Sequence, residues 1–168
     1  SDLNYPISVP KTHIDNLNAA LFQSAVNDPE TGRYKRRVLA INEILGYEPA
    51  EGMFNFVETF AFDASTDSFL FRGRGTSYLL DAKIAVMRGY DDTEVPKIYD
   101  DLYDRAEILE YMIMLGILEY DDVLKNLRWV QQVGIEAALA RFKRMAMMEL
   151  GADVEAEISK KVGRDDDW

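Results

Sequence analysis

Phe54-Asn55-Phe56-Val57-Glu58-Thr59-Phe60-Ala61-Phe62-Asp63-Ala64-Ser65-Thr66-Asp67-Ser68-Phe69-Leu70-Phe71 is the stretch that decides the fold. Aromatic residues stand on both arms of the turn formers Asp63 to Asp67, which is the pattern of a β-hairpin with a half-buried face. These phenylalanines read as a core face rather than a ligand-stacking platform, because such spacing is the ordinary pattern of a sheet. Upstream, Asn18 to Gln23 reads as a strand and Asn27-Asp28-Pro29-Glu30-Thr31-Gly32 as a turn. Tyr34 to Leu45 reads as the hairpin partner, so two antiparallel hairpins are expected before residue 72. Ahead of them Pro10 suits the first turn of a short helix over Thr12 to Leu17.

Beyond the hairpins the period changes from two to between three and four. Leu79, Leu80, Ile84, Ala85 and Met87 predict a helix that starts near Ser77 and stops at Gly89. Thr93 is the expected N-cap of a longer helix, with Pro96 in its first turn and Gly116 as its stop. Val95, Ile98, Leu102, Ile108, Leu109 and Met112 should face inward on it. Tyr120 to Gln132 and Ile135 to Leu150 complete a small bundle, and the acidic end from Gly163 is expected to fray. The chain therefore reads as α+β, with a β-rich part over residues 1–74 and a helical part over 75–168.

Composition narrows the function. At 168 residues and 48% hydrophobic content the chain can bury one or two modest cores, and it contains no apolar run long enough to span a bilayer; Ser1 to Pro6 lack the basic lead and apolar stretch of a signal peptide, so none is expected. No direct membrane insertion is expected. With no cysteine and one histidine, His13, it can form neither a disulfide scaffold nor a multi-histidine metal cage. Thirty acidic residues against nineteen basic ones give a charge of −11, which disfavours nucleic acid as a partner. Asp exceeds Glu and Arg exceeds Lys, a balance that keeps a protein hydrated in concentrated salt and fits a halophilic source.

Few motifs carry chemistry. Arg72-Gly73-Arg74-Gly75-Thr76 lacks the spacing and the lysine of a phosphate-binding loop, although Arg72 and Arg74 could grip an anion at the start of the following helix. His13 stands alone, no serine sits in a nucleophile elbow, and Asp91-Asp92, Asp100-Asp101 and Asp121-Asp122 read as solvated faces and caps. Arg33-Tyr34-Lys35-Arg36-Arg37 stands out in so acidic a chain. Arg33, Arg36 and Arg37 are the candidates for an inter-subunit ion pair or a contact beside a nucleotide; the competing reading is a charged strand that deters edge-to-edge aggregation.

Several strings in order resemble the end of the type II/type IV secretion ATPases, in particular the archaeal GspE-like and archaellum-motor branch. They are Ile7-Ser8-Val9-Pro10-Lys11, Leu21-Phe22-Gln23, Arg36-Arg37-Val38-Leu39-Ala40-Ile41-Asn42-Glu43-Ile44-Leu45-Gly46 and Phe60 to Phe69. Arg105-Ala106-Glu107-Ile108-Leu109-Glu110-Tyr111-Met112, Gly116-Ile117 and Tyr120-Asp121-Asp122-Val123 continue the series. The similarity covers residues 5–130. The resemblance implies hairpins that complete a RecA-like P-loop domain, followed by the family's helical C-terminal part, within a hexamer at the cytoplasmic face of the membrane. It also implies an ATP and magnesium site upstream of Ser1, with no cofactor held by this chain and no ATP hydrolysis by it alone. Membrane-embedded assembly proteins and identical subunits are the implied partners, Arg36 and Arg37 fall on the family's arginine-rich strand, and the chain by itself is expected to be a monomer. A free-standing helical interaction module is the alternative.

Overall fold

A computed structural model describes residues 17–28, 31–48 and 50–163. The short helix expected over Thr12 to Leu17 therefore lies outside the described residues except at Leu17, as do His13 and the acidic end. The chain divides into two compact units, Ser1–Val95 and Pro96–Trp168.

The first unit is built on a four-stranded antiparallel sheet in the order β1-β2-β3-β4, with β1 Ala19–Asn27, β2 Tyr34–Glu48, β3 Met53–Asp63 and β4 Ser68–Phe71. Both expected hairpins are present, because turn formers separate runs of apolar alternation. The aromatic arms do pair: Phe60 lies opposite Phe71 and Phe62 opposite Phe69, with ring centroids 4.7 and 5.5 Å apart. Such cross-strand pairs are the stabilising unit of a sheet. Ala40 to Glu43 of β2 are flanked by both β1 and β3, whereas Tyr34 to Val38 pair with β1 alone and Ile44, Gly46, Tyr47 and Glu48 with β3 alone.

The helix expected from Ser77 is more irregular than its periodicity suggests: Tyr78–Ile84 (α1) is π-helical and only Ala85–Met87 (α2) is α-helical. Its start is fixed by the sheet. Glu43 of β2 is buried at 4% exposure, and its carboxylate accepts from Ser77 Oγ at 2.6 Å and from Leu79 N at 3.0 Å, while Ser77 Oγ accepts from Leu80 N at 2.9 Å. A buried carboxylate thus serves the free N–H groups of the first turn. Before this turn the chain needs Gly73, since a Cβ there would stand 2.5 Å from the Phe71 ring.

The second unit packs α3 Pro96–Met114, α4 Tyr120–Val133, α5 Ile135–Leu150 and α6 Val154–Val162. Ile108, Tyr111, Met112, Val130, Ala138, Phe142, Ala146, Val154 and Ile158 form its core. The bounds of α4 and α5 follow the predicted stripes closely. α3 begins at Pro96 rather than just after Thr93, because the Asp91 carboxylate accepts from Thr93 N and Glu94 N at 2.9 and 3.2 Å and so closes a separate turn first. Leu109, expected inside, is 47% exposed, and Tyr99, Tyr103 and Tyr111 fill the interior instead. α6 was not expected at all. The change from strands to helices lies where the sequence places it, around residue 74, but the boundary between the units falls at Val95/Pro96.

Candidate functional site

Strand alternation divides the basic string Arg33 to Arg37 between two faces. Lys35 and Arg37 turn toward the loops at one end of the sheet. There Lys35 Nζ lies 2.7 Å from Asp28 and 3.6 Å from Asp67, while Arg37 donates from Nε and Nη2 to the two oxygens of Asp67, each at 2.8 Å. Asp28 is 7% exposed and also accepts from Thr31 Oγ1 at 2.7 Å. The four charged groups clasp the β1–β2 turn to the β3–β4 turn. A bidentate guanidinium–carboxylate pair adds directional hydrogen bonding to the charge attraction.

The clasp sets its own electrostatics. The Asp28 hydrogen bond raises Lys35 above its ordinary pKa, and the Asp67 hydrogen bond raises Arg37. In return the Arg37 bond holds Asp67 below the usual carboxylate range, and the hydroxyl of Ser65 does the same for Asp63. All of these groups stay charged at neutral pH. Beside the clasp lies a cleft of about 200 Å³, lined by Val26, Phe62 and Ala64 on its apolar side and by Asp28, Lys35 and Asp67 on its charged side.

Arg33 and Arg36 are exposed and form no ion pair among the described residues. Of the three arginines singled out in the sequence, Arg37 is thus spent inside the fold, and Arg33 and Arg36 present guanidinium groups to the surroundings. The structure does not bring Arg72 and Arg74 to an open helix start. Arg72 pairs with Glu58 at 2.9 Å, Arg74 has a partner of its own, and the first turn of α1 already carries the Glu43 carboxylate. The loop around Gly73 is closed on itself by Thr76 N and Ser77 N donating to Gly73 O at 3.0 and 2.7 Å, so its residues do not fit a nucleotide phosphate cradle.

Two groups escaped sequence reasoning. Glu43 lies inside the string Ile41-Asn42-Glu43-Ile44, and only its burial marks it. In the second unit Lys143 of α5 stands 3.5 Å from Glu107 of α3 and 2.8 Å from Glu155 of α6, next to the buried Tyr111. Burial alone would lower the Lys143 pKa, but the Glu155 bond and the Glu107 charge outweigh it and raise it; burial raises Tyr111. Among the described residues no histidine and carboxylate cluster could hold a metal ion, and no helix is long and apolar enough to cross a membrane.

No family model matches the chain. It is similar to uncharacterized protein MJ0900 of Methanocaldococcus jannaschii, 42% identical over 125 residues that make up 74% of this chain and 22% of that protein. It is also similar to uncharacterized protein MJ1287 of the same organism, 35% identical over 104 residues, 62% of this chain and 36% of that protein. The chain thus spans about a fifth and about a third of the lengths of these two archaeal relatives.

Proposed function

We propose that this chain is the C-terminal, force-transmitting portion of a hexameric secretion-type ATPase, working at the cytoplasmic face of the membrane to assemble a pilus, an archaellum or a secretion machine. ATP and magnesium are held by upstream parts of the parent protein, and the four strands are the end of a larger RecA-like sheet. The two units pass nucleotide-dependent movement to neighbouring subunits and to membrane-embedded partners. The ordered resemblance over residues 5–130 and the greater length of both relatives support this reading.

The observation that carries it is the outer edge of β1. Ala19-Ala20-Leu21-Phe22-Gln23-Ser24-Ala25-Val26-Asn27 has no charged residue and no proline, although 29% of the chain is charged. Among the described residues β1 stands at the end of the strand order with β2 as its neighbour, and Leu21 and Phe22 are 59% and 51% exposed. Self-contained sheets protect such edges with charge, proline or a covering segment. An uncharged edge of this length suits continuation into further strands.

The test is the complete gene product. A GxxxxGK[ST] motif upstream of Ser1, a hexamer in solution and ATP hydrolysis that falls on Arg36→Ala are expected. A complete reading frame without that motif overturns the proposal. The independent core of Pro96–Trp168 favours a second reading, a helical interaction module, which the same reading frame would then leave standing.

A further inference from the structure

The second unit carries a group of unpaired cations on an acidic chain. α4 and α5 together carry five cations, Lys125, Arg128, Arg141, Lys143 and Arg144, and four carboxylates, Asp121, Asp122, Glu136 and Glu149. Lys143 is engaged by Glu107 and Glu155. The other four are exposed and form no ion pair among the described residues. In a chain with thirty acidic side chains, four unneutralised cations on one helical hairpin are not explained by internal pairing.

Three of these cations, Lys125, Arg128 and Arg141, stand around Trp129. Leu124, Lys125, Arg128, Trp129 and Gln132 line a groove of about 450 Å³ along α4, with Asp121 at its N-terminal end. From the adjoining α5, the Arg141 guanidinium lies 4.3 Å from the centre of the Trp129 ring, and Trp129 meets the Phe142 ring edge-on at 6.1 Å. Stacking holds Arg141 in place beside the groove, and packing on Phe142 fixes the indole. An aromatic ring at the base with three cations around it is a recognition surface for an anionic partner that also carries an apolar side chain.

We infer that this groove binds an acidic segment of a partner protein, with carboxylates meeting Lys125, Arg128 and Arg141 and an apolar side chain resting between Leu124 and Trp129. Asp121 repels carboxylates at the other end and so sets the direction of the segment. The charge of the whole chain argues against nucleic acid, whose regular phosphate array would face the acidic remainder of the molecule. The inference stands apart from the motor reading, since it uses only α4 and α5.

The probe is a short synthetic peptide of glutamate and leucine at helical spacing, fluorescently labelled and titrated with the chain at about 0.1 M salt, where opposite charges still attract over about 10 Å. Saturable binding is expected. Lys125→Glu with Arg128→Glu, both exposed and outside the core, should weaken it about tenfold or more, and Arg33→Glu in the other unit should leave it unchanged. Circular dichroism of each variant confirms that the helices are retained. Absence of saturable binding, equal binding by the double variant, or tighter binding of single-stranded DNA or phosphatidylglycerol vesicles than of the peptide overturns the inference.

Discussion

Arg37 and Asp67, thirty positions apart, meet through two parallel hydrogen bonds of 2.8 Å and so fasten the β1–β2 hairpin to the β3–β4 hairpin. Asp67 itself has φ 51°, a left-handed conformation that aspartate and asparagine tolerate better than other side chains. Asp67→Asn therefore preserves the turn and removes the charge. A lower melting temperature is expected, with a gap to the parent chain that narrows as salt rises, measured by circular dichroism at low and high ionic strength.

The same pair sets a pH response. Asp63 and Asp67 have folded pKa values below their unfolded ones, so their contribution is present above the ordinary carboxylate range and is lost as pH falls through the depressed values. Thermal melts taken downward from about pH 5 should show a loss of stability below about pH 4 that is smaller in Asp67→Asn. An identical acid limb in the two proteins would show that the clasp plays no part in it.

Glu43 offers a sharper test of the sheet-to-helix joint. Glu43→Ala strands the buried Ser77 hydroxyl, at a cost of about 1–3 kcal/mol, and leaves the part-buried Leu79 N–H without its acceptor. Chemical denaturation should show the loss, and Glu43→Gln should recover part of it.

Tyr111 should behave in the opposite way. Its hydroxyl is buried with no hydrogen-bond partner among the described residues. Tyr111→Phe deletes that group and keeps the ring, so stability should be unchanged or higher by up to about 1 kcal/mol in urea unfolding. A clear destabilisation would mean that the hydroxyl is satisfied by a bound water or another group.

At Gly73 the constraint is space. A methyl group there would stand 2.5 Å from the Phe71 ring and 3.3 Å from Thr59, so Gly73→Ala should destabilise the first unit by about 1–3 kcal/mol. Unfolding followed by near-ultraviolet circular dichroism would register it.

Much of this architecture can be read from local pattern. The hairpins announce themselves through Asn27 to Gly32 and Asp63 to Asp67, and α5 through Ala138, Phe142 and Met145. What escapes is whatever depends on partners far along the chain. Arg37 looks like its neighbours Arg33 and Arg36 until Asp67 is brought to it, and Glu43 looks like a surface carboxylate until Ser77 covers it. The tyrosines of α3 were hidden for another reason: Tyr99, Tyr103 and Tyr111 repeat at four- and eight-residue steps, but their hydroxyls disguise an apolar stripe. α6 had a signal, Val154 and Ile158 four residues apart, too short to stand out beside the acidic residues around it.

Gly134 is the whole connection between α4 and α5, at φ 88° and ψ 159°, a backbone state that is essentially closed to any residue with a Cβ. A corner made of one residue has no slack. Only the two backbone angles of Gly134 set how α4 meets α5, so a side chain at that one position would re-aim the second arm of the hairpin.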